Sequence, residues 1–301
     1  VKSINVIGAG RVGRTLARLA TQHCLWEVRG VLNRSLPSAA EAVRFIGAGR
    51  AVEDWAQLQR ADLVMISTSD AAIEACCRRL CEAELVGEGV IVFHCSGAIP
   101  SSVLQPAKTL GAAIASAHLV KSFADPAAAV ESFAGTFCGL EGDDRACRLL
   151  GEAFESLGAR TFSLDPDQKT IYHAGTVIVC NYLTALIETG LRCFEQAGVP
   201  RATATEIIEP LVRGTVENVF RLGPTAALTG PIARGEADVV ARQCQALGTW
   251  DAGIEQIYKA LGQATADLSA AQGTADPDDL AAIRQILTPL PPGEDGGAAA
   301  R

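Results

Sequence analysis

The sequence predicts an α/β protein with two parts: a doubly wound parallel sheet over residues 1–164, followed by an all-helical domain over 165–287. Three observations predict it. Short apolar runs in the first half alternate with stretches of helical spacing. The first run leads directly into Gly8-Ala9-Gly10-Arg11-Val12-Gly13. From Asp165 onward the strand signal vanishes and only helical patterns remain.

The elements follow in order. Ile4-Ile7 reads as a strand, and Arg14 to Thr21 as a helix through Leu16, Ala17, Leu19 and Ala20. Glu27-Leu32 is the second strand and ends at Asn33-Arg34-Ser35, before a helix from Ser38 to Ile46. Ala51-Val52 is a short strand, and Ala61-Ile66 a buried one ending at Ser67-Thr68-Ser69-Asp70. Asp70 is placed to cap a helix from Ala71 to Cys81. Val90-Phe93 ends at His94-Cys95-Ser96-Gly97, and Ala113-Ser116 ends at Ala117-His118. Thr136-Leu140 and Arg160-Leu164 are further strands around a helix from Asp144 to Leu157. Uniformly apolar strands separated by helices are the mark of a parallel sheet covered on both faces. The second half predicts helices at about 167–197, 201–221, 235–247, 251–272 and 277–287. The tail at 288–301, rich in Pro, Gly and Ala, has nothing to bury and is expected to be flexible.

The composition narrows the function. Apolar residues make up 49%, enough for a sizeable core, and a net charge of −8 argues against a nucleic-acid surface. No basic and apolar leader is visible at the start, and the longest membrane-like run, Ala174 to Ile187, is shorter than the roughly 20 residues a span needs. That run is read as a buried helix, and the protein as cytoplasmic with no membrane partner. The ten cysteines are scattered, Cys76-Cys77-Cys81 has a poor metal-ligand spacing, and packing explains them better than metal binding.

Gly8, Gly10 and Gly13 form GxGxxG between a strand and a helix, the context in which that motif binds a dinucleotide. The first glycine permits a tight turn, the second admits a pyrophosphate, and the third lets helix and strand approach. The phosphates rest on the amides of Ala9, Arg11 and Val12 at the positive end of the helix. An acidic residue ending the second strand would select NAD through the ribose hydroxyl. This chain has Asn33, Arg34 and Ser35 instead, groups that bond and neutralise a phosphate, so NADP(H) is favoured over NAD.

Ligands of an open parallel sheet lie outside the carboxyl ends of its strands. Ser67 and Thr68, then His94, Ser96 and Gly97, then His118 fall there. Either histidine could move a proton or hold a carbonyl oxygen beside a nicotinamide, or simply satisfy loop backbone groups. On the first long helix, Lys169 and His173 are one turn apart and share a face, while Asn181 lies about 120° round and about 18 Å along. Lysine is scarce, with only Lys2, Lys108, Lys121, Lys169 and Lys259, which draws attention to Lys169. His173 and Asn181 interrupt an apolar helix and need partners, from ligand or protein. Arg234, in Thr229-Gly230-Pro231-Ile232-Ala233-Arg234-Gly235-Glu236, is placed to clamp a substrate carboxylate or to serve the turn.

The glycine loop, the Asn33-Arg34-Ser35 strand end, the two histidine strand ends, the Lys169–Leu186 helix and the segment through Arg234 together resemble a bacterial family. Its members join a Rossmann-like NADP domain to a helical domain of unknown function, and the resemblance covers about residues 3–260. The family is similar to the 6-phosphogluconate dehydrogenase-like group, with ketopantoate reductase, pyrroline-5-carboxylate reductase and 3-hydroxyisobutyrate dehydrogenase. Several members of that group carry a catalytic lysine followed by Asn four residues on. Lys169 matches the lysine, whereas His173 stands in place of the Asn. Leu119 stands where the closer family has a proline after the second histidine.

The resemblance implies an NADP-dependent reductase or dehydrogenase. It would move a hydride between nicotinamide and a carbonyl or imine carbon of a small carboxylate substrate, with a ketopantoate-like 2-oxo acid as one candidate. Lys169 is the expected proton donor, with His173 and His94 as alternates. The rival readings are a non-catalytic NADP-binding sensor and hydride exchange with a second redox cofactor such as a deazaflavin. The apolar helix near 174–187 predicts a homodimer through the helical domain.

Overall fold

The computed structural model describes residues 1–288. The expected tail lies outside the described residues from position 289 onward. The described residues form two compact units, one through Leu183 and one from Thr184.

The first unit is built on eight strands: β1 (Lys2–Ile7), β2 (Trp26–Leu32), β3 (Arg50–Val52), β4 (Leu63–Ile66), β5 (Ile91–His94), β6 (Ala113–Val120), β7 (Phe137–Gly142) and β8 (Arg160–Ser163). Their order in the sheet is β3-β2-β1-β4-β5-β6-β7-β8. The direction of progression reverses between β1 and β4, which opens a ligand crevice at their carboxyl ends. Helices α1 (Arg11–Gln22), α2 (Leu36–Ile46) and α3 (Ile73–Glu82) cross between the first strands. The short α4 (Gln105–Thr109) and α5 (Pro126–Glu131) lie in connections where the sequence pattern is too brief to signal them, and α6 (Asp144–Ser156) precedes β8. One core packs Ile4, Leu16, Met65, Phe93 and Phe154 on one face of the sheet, and a second packs Ile7, Ile66, Ile73, Leu80 and Leu104 on the other. That two-faced burial is why the strands are apolar at successive positions.

Two local features depart from the sequence reading. β7 runs antiparallel to β6, with Ser116 opposite Glu141 and His118 opposite Gly139. The sheet is therefore not wholly parallel. This pairing carries β6 on to Val120, so His118 sits inside a strand rather than beyond its end. Asp70 opens a short 3₁₀ turn at Asp70–Ala72 without a side-chain cap, and α3 starts only at Ile73.

The long helix α7 spans Lys169–Gln196. Its opening turns belong to the first compact unit, which therefore extends past Leu164 to Leu183. The cause is local: Lys169, at the helix start, is fully buried among groups of β6, β7 and the turn after β5. The stretch read as a buried helix is not buried. Ile178, Val179 and Tyr182 are all exposed, because no other element of the unit covers that side of α7. The helical segment 166–196 is long and apolar enough, by length and composition, to cross a membrane.

The second unit adds α8 (Arg201–Leu222), α9 (Pro224–Ala227), α10 (Ala237–Trp250), α11 (Ala252–Gln272) and α12 (Pro277–Leu287). Val240, Cys244, Ala266, Leu280, Ile283 and Leu287 form its main core. Asp251 and Asp276 cap α11 and α12 by accepting backbone hydrogen bonds in their first turns.

Candidate active site

The glycine loop is built for a close approach. Gly8 adopts φ +82°, and a Cβ there would lie 2.5 Å from Thr68 Cγ2. A Cβ on Gly13 would overlap Ser67 Oγ, which donates 2.9 Å to the Gly8 carbonyl. Gly10 differs: its nearest neighbour would be the Gly8 carbonyl at 3.9 Å, so its open side faces the crevice. Gly10 caps α1 with no side-chain hydrogen bond, and the first turn carries no acidic residue. The amides of Arg11 and Val12 remain available to an anion, whereas the Ala9 amide, expected to join them, is taken by Asn33 Oδ1. The loop thus fits a pyrophosphate.

The crevice has a volume of about 980 Å³ and is lined by Gly8, Ala9, Gly10, Asn33, Arg34, Ser35, Ser67 and Thr68. Asn33 has a different task from its neighbours. Its Oδ1 accepts from the Ala9 amide at 2.7 Å, and its Nδ2 donates to Ser38 Oγ at 3.0 Å. Both ends of the carboxamide are spent holding the glycine loop against α2. Arg34 and Ser35 stay exposed at the rim, beside the first turn of α2. Sequence reasoning missed Arg14 and Trp55, which also line the crevice. Arg14 pairs with Glu41 at 2.8 Å, which fixes its guanidinium at the edge.

A smaller recess of about 330 Å³ shares Ser67 and Thr68 with the crevice. Val12, Cys95, Ser96, Gly97, His118 and His173 line it, together with Asp70 and Lys121. His118 Nδ1 lies 2.8 Å from the Tyr172 hydroxyl, and its ring meets those of Tyr172 and His173 edge-on at 5.5 and 5.6 Å. Gly97 fits directly beneath them, since a Cβ there would lie 2.7 Å from His118 Nε2 and overlap His173. Burial lowers the pKa of His118 to about 4, helped by the nearby His173 and Lys169. Burial raises that of Tyr172 to about 12. Tyr172 was not singled out from the sequence, although it adjoins His173 and lies three residues after Lys169.

His94 lies away from the recess, fully buried at the end of β5. Its Nδ1 accepts from the Ser96 amide at 3.1 Å, which leaves the proton on Nε2, where no acceptor meets it in hydrogen-bonding geometry. Burial lowers its pKa to about 3; the Lys169 charge adds to this and the Pro100 carbonyl opposes it.

Lys169 does not reach the recess wall. Its ammonium is fully buried, donates to the Ser96 carbonyl at 3.1 Å and to Ser116 Oγ, and pairs with Glu141 Oε1 at 3.3 Å. Glu141 in turn accepts from the Ser101 amide at 2.7 Å and from Ser101 Oγ at 2.6 Å. Burial lowers the lysine's proton affinity and Glu141 opposes that shift. Removing one partner of such a pair strands a charge, at a cost of about 3–5 kcal/mol. Glu141 was absent from the sequence reading; it follows the apolar run Phe137-Cys138-Gly139-Leu140 and is itself followed by Gly142-Asp143-Asp144, so nothing marks it among its acidic neighbours.

Asn181 and Arg234 are not among the residues that line the crevice or the recess. Asn181 is exposed on α7, so solvent satisfies it and no buried partner is required. Arg234 belongs to the second unit, exposed and paired through Nε to Glu236 at 2.7 Å.

Comparison with known proteins agrees with this architecture. Residues 2–118 match a Rossmann-like domain, and residues 136–265 match a domain of unknown function (DUF2520). The two matches follow one another along the chain and together cover most of it. Among solved structures, a protein from Thermotoga maritima is similar over 90% of this chain and 99% of its own, at 22% identity and a TM-score of 0.70. A Bacteroides fragilis protein described as an NADP oxidoreductase covers 90% of this chain and 97% of its own, at 20% identity and a TM-score of 0.71. An imine reductase from Myxococcus stipitatus, in complex with NADP+, covers 93% and 98%, at 16% identity and a TM-score of 0.62. At these identities the likeness is one of fold. No curated protein matches the sequence.

Proposed function

We propose that this Rossmann–DUF2520 protein is an NADP-dependent oxidoreductase acting on a carbonyl or imine carbon of a small carboxylate substrate. The observation that carries the reading is the adjacency of two cavities. A crevice with an open glycine loop shares Ser67 and Thr68 with a small recess lined by His118, whose Nδ1 meets the Tyr172 hydroxyl. The imine reductase that shares the fold was solved with NADP+, which supports the same choice of cofactor. The exposed Arg34 and Ser35 at the start of α2 favour the phosphorylated form.

When bound, the nicotinamide supplies or accepts the hydride. The chain's own residues position the carbon and handle the proton. With the Tyr172 hydroxyl donating to His118 Nδ1, the imidazole bears its proton on Nε2, the atom over Gly97. His118 Nε2 would pass its proton to the substrate oxygen or nitrogen as its charge develops, while Nδ1 takes the Tyr172 hydroxyl proton and solvent later returns a proton to the tyrosinate. Lys169, with its donors directed at protein groups, is not assigned that step. A recess of about 330 Å³ suits a small substrate better than a second redox cofactor, which needs a wide cleft. A second copy of the chain is the proposed cover for the exposed apolar side of α7.

The test is binding and turnover together. NADPH is titrated against the protein, and its oxidation is followed with a panel of 2-oxo acids and cyclic imines. Micromolar NADPH binding with turnover of one substrate class is expected. Binding without any turnover would favour a sensor, and no binding would overturn the reading altogether.

A further inference from the structure

The first unit contains a buried charged network that the proton-transfer step leaves unused. Its members come from distant parts of the chain and converge at one level of the sheet. His94 on β5 is in register with Ser116 on β6, and Ser116 is in register with Glu141 on β7. Directly opposed residues of an antiparallel pair share a face, so Ser116 and Glu141 point the same way. Lys169 enters from the start of α7 and meets both, together with the Ser96 carbonyl. Ser116 Oγ also donates to that carbonyl at 3.2 Å. Ser101 closes the far side by donating twice to Glu141. An ammonium has three protons, and it has three acceptors here, all from the protein.

The consequence lies one step outward. Ser96 precedes Gly97, the residue seated beneath His118 and His173. Tyr172 and His173 follow Lys169 by three and four residues, on the same helical turn. A single ammonium therefore anchors both the turn that forms the floor of the recess and the helix that supplies its wall.

We propose that Lys169 and Glu141 are positioning residues: the pair locks the Ser96–Gly97 turn and the start of α7 in the register that brings His118, Tyr172 and His173 together. The inference rests on the oxidoreductase reading for its kinetic consequence, but not for its structural one.

The test compares Lys169→Met, Glu141→Gln and the double variant, with kcat expressed per folded molecule. A displacement near 1 Å can cost about 100-fold in rate, so Lys169→Met should lower kcat by about that factor and leave KM for NADPH within about twofold. The double variant relieves the stranded carboxylate but still lacks the donor to the Ser96 carbonyl, so its kcat should lie between those of Lys169→Met and the parent. A double variant as inactive as Lys169→Met would show no coupling between the two charges and overturn the pair as the positioning unit.

Histidine NMR gives a readout that needs no substrate, and the chain has only four histidines. The His118 imidazole signals should shift in Lys169→Met and move part of the way back in the double variant. Ser101→Ala keeps both charges and serves if the charge variants do not fold. It should lower kcat several-fold and move the same signals, and no change in either would refute the pair's positioning role. A parent protein that turns over no substrate yet shows the NMR coupling would sink the oxidoreductase reading and leave the positioning pair standing.

Discussion

Acid should destabilise this fold through one residue in particular. His94 is fully buried, and its pKa is lowered to about 3 from an ordinary value of 6.5. In the unfolded chain it takes up a proton near pH 6.5. Between those two values the unfolded state binds the extra proton, so stability falls as pH falls, and the loss stops growing near pH 3. Each tenfold difference in proton affinity is worth about 1.4 kcal/mol, which sets a ceiling of about 5 kcal/mol and gives about 2 kcal/mol between pH 7 and pH 5. His118 acts in the same direction, but it is only half-buried and contributes less.

The comparison that isolates the effect is His94→Asn. The Asn Oδ1 can still accept from the Ser96 amide, but it does not titrate. Urea unfolding at pH 7, 6 and 5 would follow Trp26, whose ring lies 6.2 Å from that of Phe93, in a background where Trp55 and Trp250 are phenylalanine. The variant should be less stable at pH 7, through the void it leaves, yet lose about 2 kcal/mol less than the parent on acidification. Equal losses in the two proteins would mean that His94 titrates as in water, and the burial argument would be wrong.

Four further outcomes are expected. Arg34→Ala should weaken NADPH binding by about 10- to 100-fold, the worth of one charge-assisted contact, and leave NADH binding unchanged; fluorescence titration with both nucleotides checks it. Gly13→Ala forces Cβ into Ser67 Oγ and should lower both the melting temperature and the affinity for NADPH, as calorimetry and titration would show. Tyr172→Phe removes the hydroxyl that holds His118 and should cut kcat by about 10- to 100-fold with little change in KM for NADPH, measured by steady-state kinetics. Light scattering at micromolar concentration should give a dimer mass, and Val179→Glu on the exposed side of α7 should shift it to monomer; a parent monomer, or partition into vesicles, would remove the second-copy cover.

The fold was legible because its signals are repetitive. Apolar runs buried on both faces, a glycine loop at a strand–helix junction and long helical patterns after Asp165 each satisfy a local rule. The direction of β7 was not legible, because Phe137–Gly142 is an apolar strand in either orientation and only its partner sets the sense. The exposure of α7 was hidden for a similar reason: composition shows that Ile178 and Val179 want cover but not that their own unit fails to supply it. At the site, the glycines could be read from spacing because their role is steric. Glu141, Tyr172 and Ser101 could not, since their roles exist only once β6, β7 and α7 meet.

The buried pair also straddles a seam in the sequence. Ser96 and Ser116 fall within the segment that matches a Rossmann-like domain, whereas Glu141 and Lys169 fall within the DUF2520 segment. The two charges would travel together in any graft made between positions 118 and 136, but the neutral groups that receive the ammonium would stay behind. A hybrid built from two such proteins should therefore assemble a working recess only when its donor sheet offers a carbonyl and a hydroxyl at those two points.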